Sequence, residues 1–378
     1  KLVKVNAQSS GVFRSAKGSY IPPQITSVES ETDLKNNRED DSTPMIVTGT
    51  NFGVEGAKVM LTYGDQDVMK YSAASCEVTK PHIELTCGSS PGIGMDLKFY
   101  MTIAELPSNT YQSDVKFNAP VIKPLSAGIK NAVSGQGATA ANTRGGEEIN
   151  VFGENFGLAG DSFLPTMTYG PTGTEYLATD CVVRNSFSKI RCVGAPGTGF
   201  GHKVQIRVGG QFSALYNGNV SYKPPSVYFF DPAWAKDTPA RIGGYTSGKE
   251  KVVIHGDNFG LSSSMKLDLV TYGPKGSEYV PCSVADASCN CTVVEDHTKI
   301  LCFTTEGTGK GHNWIVKIDG QTSIVSTTQY NPPEIYSIEG MVDASPNGGE
   351  SIVVKGRDFG HTQDKLEYVT YGPRGTEY

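Results

Sequence analysis

The chain repeats itself about every 100 residues, and this repeat limits the fold more than any other feature of the sequence. Four segments align with one another: "IVTGTNFG" from Ile46, "INVFGENFG" from Ile149, "VVIHGDNFG" from Val252 and "IVVKGRDFG" from Ile352. A Tyr-Gly pair follows each of them, and the units are joined by "YIPP", "FNAP", "YKPP" and "YNPP". Since this period is the size of a compact domain, the sequence predicts a tandem array of domains.

The joins divide the chain into five segments. We predict that they are the C-terminal strands of a preceding unit (1–21), unit 1 (22–119), unit 2 (120–223), unit 3 (224–331) and the N-terminal part of a further unit, the half unit (332–378). The first segment is assigned because "LVKVNAQSS" (Leu2 to Ser10) matches "IVKIDGQTS" (Ile315 to Ser323) almost position for position. Half a sandwich would leave a sheet with an open edge, so we expect the chain to be a segment of a longer array.

Each unit has the residue pattern of short β-strands. In "HKVQIRV", the apolar residues Val204, Ile206 and Val208 alternate with polar ones, as a half-buried strand requires. The same places are taken by Trp314, Val316 and Ile318 in unit 3 and by Leu97, Phe99 and Met101 in unit 1. "Asn-Phe-Gly" predicts a turn whose glycine has a positive φ and whose phenylalanine packs on the core. About seven short strands in each ~100 residues predict an all-β, immunoglobulin-like sandwich.

These motifs resemble those of the IPT/TIG family. The likeness lies in a Pro-Pro-x-Ile start, a Gly-x-Asn-Phe-Gly turn, a Tyr-Gly pair and an aromatic residue before the next proline pair. The family comprises immunoglobulin-like domains of plexins, Rel-type transcription factors and large surface proteins. With "TYGPTGTEY", a cysteine pair and "GTGxGH", the longer units here are similar to tandem arrays of protist and algal surface proteins. The resemblance implies tandem immunoglobulin-like (IPT/TIG) β-sandwiches in an elongated array, a scaffold that has many uses.

Eight cysteines occur in pairs that repeat with the units. Three pairs have members eleven residues apart on a strand-turn-strand pattern, and unit 3 has one extra pair. We predict the disulfides Cys76–Cys87, Cys181–Cys192, Cys291–Cys302 and Cys282–Cys289. In unit 3 the alternative is Cys282–Cys302 with Cys289–Cys291, which a strained small ring disfavours. A zinc site at Cys289 and Cys291 is the other interpretation, but no Cys-x-x-Cys partner or nearby histidine pair accompanies these residues.

Disulfides place the protein outside the reducing cytosol, and two N-glycosylation sequons agree with that compartment. They are "Asn219-Val220-Ser221" and "Asn290-Cys291-Thr292". We therefore predict N-linked glycans on Asn219 and Asn290, with oxidation of Cys291 competing against the second.

No constellation of residues indicates catalysis. His202 and His312 occupy the same place in two units, which predicts a repeated turn contact, whereas the other histidines are scattered. "GTGFG" and "GTGKG" lack the lysine-threonine pair of a phosphate loop, and they are predicted to be loops between strands. The acidic stretch from Glu29 to Asp41 lacks the ordered ligands of a calcium loop, so we interpret it as a solvated insertion. We predict no enzyme, no catalytic residue, no cofactor and no metal.

A net charge of -6 disfavours nucleic acid as the main partner, and no apolar run is long enough to span a bilayer. Proline-rich joins restrict the backbone, so compact units joined in this way should form a rod or filament. We predict a structural or adhesive protein, extracellular or at the cell surface, whose partners are its own copies or other surface and fibre proteins. The alternatives are a plexin-like receptor ectodomain that binds a protein ligand, a Rel-like DNA-binding protein, and an enzyme whose catalytic domain lies outside this sequence. The DNA-binding alternative requires a basic loop surface and reduced cysteines, and the sequence has neither.

Overall fold

The regular secondary structure of the computed structural model is almost entirely antiparallel β-sheet. It describes residues 4–5, 8–9, 19–35, 42–65, 70–123, 129–131, 140–160, 164–237, 239, 241–264, 266–281 and 291–378. In these ranges the only helices are two 3₁₀ turns, Ala233–Lys236 and Gln363–Lys365, and no described helix is long and apolar enough to cross a membrane. The predicted all-β fold of tandem sandwiches is confirmed.

Unit 1 is a sandwich of two sheets, preceded by a short hairpin of β1 (Lys4–Val5) and β2 (Gln8–Ser9). Its strands are β3 (Gln24–Glu29), β4 (Pro44–Thr50), β5 (Val59–Gly64), β6 (Tyr71–Ser72), β7 (Cys76–Lys80), β8 (Glu84–Gly88), β9 (Lys98–Ile103), β10 (Leu106–Pro107) and β11 (Tyr111–Gln112). One sheet has the order β3-β4-β8-β7, and the other has the order β10-β9-β5-β6 with β11 also on β9. Alternate residues of both sheets form one buried core, which includes Val47 and Phe99.

Unit 2 repeats this arrangement. Its strands are β12 (Val121–Ile122), β13 (Ile129–Asn131), β14 (Glu148–Glu154), β15 (Thr166–Gly170), β16 (Tyr176–Leu177), β17 (Thr179–Asn185), β18 (Lys189–Val193), β19 (His202–Val208), β20 (Gln211–Phe212) and β21 (Tyr216–Val220). The sheets have the orders β12-β14-β18-β17, with β13 on β14, and β16-β15-β19-β20, with β21 on β19. Val204, Ile206 and Val208 are buried, so the predicted alternation of β19 is confirmed.

Unit 3 has the same two layers, followed by the half unit. Its strands are β22 (Ser226–Pro232), β23 (Lys251–Asp257), β24 (Leu267–Gly273), β25 (Thr292–Glu295), β26 (Lys299–Phe303), β27 (His312–Ile318) and β28 (Gln321–Thr328), in the sheets β22-β23-β26-β25 and β24-β27-β28. Trp314 fills the core by stacking on Tyr272, with ring centroids 4.4 Å apart. In the half unit, β29 (Glu334–Glu339) pairs with β30 (Val353–Arg357). Tyr371 is exposed there, because residues 332–378 include no counterpart of the strands that cover Tyr272.

A parallel contact ties the two ends of each whole unit together. The segment that follows the first strand pairs with the terminal aromatic residue, as Leu34 with Phe117, Ala141 with Tyr222, and Gly244 with Tyr330. Leu34 lies in the acidic stretch that we interpreted as a solvated insertion. That interpretation is wrong at this residue, because Leu34 is fully buried and pairs with the last segment of the unit.

Candidate functional site

The candidate functional residues of this molecule lie where one unit meets the next. On the leading side of each unit is the Asn-Phe-Gly turn, whose phenylalanine is buried in the core. The glycine that follows has a φ of 81° in unit 1, 84° in unit 2 and 77° in unit 3, so both predictions for this turn are confirmed. The asparagine binds a carbonyl of its own join, with Nδ2-to-oxygen distances of 3.1 Å (Asn51 to Pro22), 2.8 Å (Asn155 to Ala119) and 3.1 Å (Asn258 to Pro224). The turn therefore fixes the direction in which the chain enters the unit.

The hairpin of β7 and β8, and its counterparts in units 2 and 3, dock on this turn. The tip residues are His82, Phe187 and His297. Each tip residue exchanges two main-chain hydrogen bonds with the turn; in unit 3 the amide of His297 donates to Gly260 O at 2.7 Å, and the amide of Phe259 donates to His297 O at 3.1 Å. Disulfides join the paired strands of each hairpin: Cys76–Cys87, Cys181–Cys192 and Cys291–Cys302. Closing a loop of this length stabilises a fold by ~3 kcal/mol in the chain-entropy model, so each disulfide favours the folded hairpin whose tip docks on the turn.

The trailing side of each unit is a glycine-rich loop that carries Ile93, Thr198 or Thr308. A tyrosine hydroxyl binds both main-chain groups of this residue: Tyr71 binds the nitrogen and the oxygen of Ile93, each at 3.0 Å. Tyr176 and Tyr279, the last residues of "TYGPTGTEY" and "TYGPKGSEY", do the same for Thr198 and Thr308. The repeated tyrosine thus holds the loop that faces the next unit.

His202 and His312 complete this loop. Their Nε2 atoms lie 2.9 Å from Thr198 O and 3.3 Å from Thr308 O, so the predicted turn contact is confirmed. Burial lowers the pKa of both histidines. The neutral imidazole is therefore the form that fits this packed position, and its ring also contacts the tyrosine rings beside it.

A glutamine of one unit binds the carbonyl of the terminal aromatic residue of the unit before it. Gln211 Nε2 donates to Phe117 O at 2.7 Å, and Gln321 Nε2 donates to Tyr222 O at 2.9 Å. Both glutamines lie at the start of the strand that follows a tight turn, in "VGGQ" and "IDGQ". The segment around this glutamine matches between copies in the sequence, but its pattern indicates no role for the glutamine.

The same turn approaches the glycine-rich loop of the preceding unit. A Cβ on Gly209 would lie 2.7 Å from the amide nitrogen of Gly94, so only glycine fits at this contact. Ile93 of unit 1 is part of the buried core cluster of unit 2. At the next junction the contact is polar, because Thr198 Oγ1 donates to Asp319 Oδ2 at 3.0 Å.

The junction between units 2 and 3 also contains a buried polar network. Thr143 of unit 2 donates from Oγ1 to Asn258 Oδ1 at 3.3 Å, and His297 Nδ1 lies 2.9 Å from the same hydroxyl. Burial, and then the charge of Arg144, lower the pKa of His297. The half unit contacts unit 3 at the equivalent place, where the amide of Thr246 donates to Asp358 Oδ1 at 3.0 Å.

The remaining predicted site residues are only partly described. Asn219 lies in β21, and its side chain is outside the described residues, as are Cys282, Cys289 and Asn290. Within the described ranges, no group of three His, Cys, Asp or Glu side chains could hold a metal ion. The glycans and the extra cysteine pair stay predictions.

Comparison with known proteins finds one family that matches part of unit 3. Residues 241–331 match the IPT/TIG domain, and no curated protein matches the chain. The chain is similar to the extracellular region of plexin A4 (12% identity, TM-score 0.24, 82% of this chain and 34% of that one). It is also similar to a surface glycan-binding protein from Prevotella bryantii (13% identity, TM-score 0.32, 84% of this chain and 83% of that one). A third similar structure is the bacterial integrin-binding protein invasin (11% identity, TM-score 0.23, 83% of this chain and 61% of that one). The chain thus spans about a third of the plexin region that it matches. It is an array of immunoglobulin-like sandwiches in which residues 241–331 match the IPT/TIG domain.

Proposed function

We propose that this chain is part of an extracellular structural or adhesive protein in which the tandem units form a stiff rod or filament. The observation that carries the proposal is the repeated bond from Gln211 and Gln321 to the carbonyl of the terminal aromatic residue of the preceding unit. At the junction of units 2 and 3, two further parts of unit 3 also contact unit 2. They are the Asn-Phe-Gly turn and the tip of the disulfide hairpin. Because a rotation of one unit against the next would break several of these contacts together, the joins are expected to resist bending.

The extracellular part of the proposal rests on the disulfides. One cysteine of each described disulfide is fully buried: Cys87, Cys192 and Cys302. Such bonds persist in oxidising compartments and are rare in the cytosol. The partners that we propose are further copies of the protein or other surface and fibre proteins, with glycans attached to the units.

The alternative is a receptor ectodomain that binds a protein ligand. Rods and receptor stalks differ in the stiffness that they require of a junction between units. A rod requires every junction to be stiff, whereas a receptor stalk tolerates one flexible junction. The angle between units in solution therefore separates the two functions.

Small-angle X-ray scattering and single-particle imaging of the whole chain would measure that angle. We expect one elongated shape with a narrow spread of angles between units 1 and 2, and a wider spread in Gly209→Val, whose side chain would collide with Gly94. Gly160→Val is the matched control, because Gly160 also has a positive φ but lies in open space. A wild-type chain that already has a broad range of angles would contradict the rod.

A further inference from the structure

The histidine at the hairpin tip of unit 3 is buried by unit 2. His297 is 6% exposed, and its Nδ1 lies 2.9 Å from the hydroxyl of Thr143, which belongs to unit 2. That hydroxyl donates its own hydrogen to Asn258 Oδ1 at 3.3 Å, so Nδ1 is the protonated nitrogen and donates to Thr143. His82 occupies the same tip in unit 1 and is exposed, so the hairpin alone does not bury the ring. The cover of His297 therefore comes from the neighbouring unit.

The charged groups that face this ring disfavour a second proton on it. Arg144 of unit 2 faces it across the junction, and Asp257 and Asp296 face it from unit 3. Asp257 is already paired with Arg144, at 2.8 Å between Oδ1 and Nη1, and Asp296 accepts two hydrogen bonds from Ser262. Burial, and then Arg144, lower the pKa of His297, and the two carboxylates only partly offset this. The neutral ring is therefore the form that fits the closed junction.

A second histidine at this junction acts in the opposite direction. His202 is 1% exposed, but its ring packs against Tyr176 and Tyr222 of its own unit, so opening the junction would not bring it into water. Burial lowers the pKa of His202, whereas its bond to Thr198 O and the charge of Asp319 raise it. Because Asp319 belongs to unit 3, a proton on His202 would favour the closed junction. Opening in acid would therefore have to come from the tip histidine of unit 3.

The junction between units 1 and 2 has no titrating group at the equivalent tip. Phe187 stands there, in the place that the histidine takes in unit 3. The close approach of Gly209 to Gly94 is uncharged, and so is the bond from Gln211 to a main-chain carbonyl of unit 1. Acid should therefore act on the junction of units 2 and 3 and spare the junction of units 1 and 2.

We propose that the junction between units 2 and 3 is an acid-sensitive hinge, which is closed at neutral pH and opens when His297 gains a proton. In the open junction the ring is in water, where the pKa of a histidine is about 6.5. Because the closed junction lowers this pKa, its stability is fully present above that pH and is lost as the pH falls. For one proton, the ratio of open to closed junctions should rise up to about 30-fold between pH 8 and pH 5. This inference rests on the proposed rod, since a hinge has a function only in an array that is otherwise stiff.

Single-particle imaging of the whole chain at pH 8 and pH 5 tests the hinge, because it measures the angle at each junction separately. We expect the spread of angles between units 2 and 3 to widen at pH 5 and to narrow again on return to pH 8, while the spread between units 1 and 2 stays narrow. His297→Phe, which copies the tip of unit 2, should abolish the widening. His82→Phe is the matched control, since this histidine is exposed, and it should leave the widening unaltered.

Hydrogen exchange of the same samples distinguishes the hinge from unfolding of unit 3. After correction for the effect of pH on the intrinsic exchange rate, the protection of the β26 amides should be the same at pH 8 and pH 5. Loss of that protection at pH 5, or a widening that persists in His297→Phe, would overturn the hinge. A narrow spread at both junctions at pH 5 would overturn the hinge and leave the rod standing, whereas a broad spread between units 1 and 2 at pH 8 would contradict the rod and not the hinge.

Discussion

The substitution Tyr222→Phe tests how the terminal aromatic residue holds the sandwich closed. The Tyr222 hydroxyl donates to Ala195 O at 2.7 Å and lies 2.8 Å from the hydroxyl of Tyr169, which accepts from the amide of Ala195 at 2.8 Å. Burial raises the pKa of both tyrosines. Without the Tyr222 hydroxyl, Ala195 O keeps only the longer bond from Tyr169, at 3.3 Å. We expect a loss of about 1–2 kcal/mol, which is one net hydrogen bond plus part of the cost of an unsatisfied buried group.

Unit 1 shows which second change should repair the damage. There Phe117 replaces the tyrosine, and Ser90 replaces the alanine. The Ser90 hydroxyl lies 3.2 Å from the hydroxyl of Tyr63 and so supplies the missing polar partner. We therefore expect Ala195→Ser to restore most of the stability that Tyr222→Phe removes, and the two changes should be strongly non-additive.

Hydrogen exchange of β19 in the whole chain measures the opening of unit 2 without treating a multi-unit protein as two-state. A loss of this size lowers the protection of the β19 amides about 5- to 30-fold. The control is Tyr216→Phe, because the Tyr216 hydroxyl is buried and makes no hydrogen bond with any described residue, so its removal should cost nothing. If Tyr222→Phe behaves like Tyr216→Phe, or if Ala195→Ser brings no recovery, the network does not hold the unit closed.

Three further expectations concern the covalent and titrating groups. Peptide mapping without reduction should recover the pairs Cys76–Cys87, Cys181–Cys192, Cys282–Cys289 and Cys291–Cys302, and free thiols at these positions would refute the extracellular assignment. Glycopeptide mass spectrometry of protein from a secreting cell should find glycan on Asn219 and, at lower occupancy, on Asn290; both asparagines bare would refute this. Partial desolvation raises the pKa of Glu175, but bonds from Thr172 and neighbouring amides outweigh it and lower the pKa to about 2. Its contribution to stability is therefore present above the ordinary glutamate pKa of about 4.3 and is lost as the pH falls towards 2. In the wild type, the protection of the amides around Glu175 against hydrogen exchange should therefore fall over this pH range. In Glu175→Gln it should not show this pH dependence.

The parts of the fold that local pattern determines could be predicted from the sequence. Strand β19 alternates strictly, so the burial of Val204 and its neighbours follows from the two-residue period of a strand. Gly157 has a positive φ, which few residues other than glycine adopt readily. Its neighbour Phe156 is buried, as an apolar residue in this repeated turn should be. Four copies in register made each of these patterns easier to recognise.

The junctions could not be predicted, because they depend on how two units are oriented. His82 and His297 occupy the same place in units 1 and 3, but nothing in the spacing of His297 indicates the contact with Thr143 of another unit. Gln211 and Gln321 carried a weak signal, since glutamine recurs after the tight turn, but Leu106 breaks the pattern in unit 1. Leu34 likewise is a single apolar residue in an acidic stretch. It belongs to no repeating apolar pattern, so the sequence does not indicate its partner.

The residues that differ between junctions show that the units are not interchangeable. Ile93 meets Gly209, where the absence of a side chain lets the backbones approach and the isoleucine enter the neighbouring core. Thr198 meets Asp319, which needs the threonine hydroxyl as a donor. Placing unit 3 directly after unit 1 would set Ile93 against Asp319 and leave a half-buried carboxylate without that donor, at a cost of about 1–3 kcal/mol. Because the shared turn, hairpin and loop keep the same fold throughout, these two positions are expected to disfavour that altered order of the units.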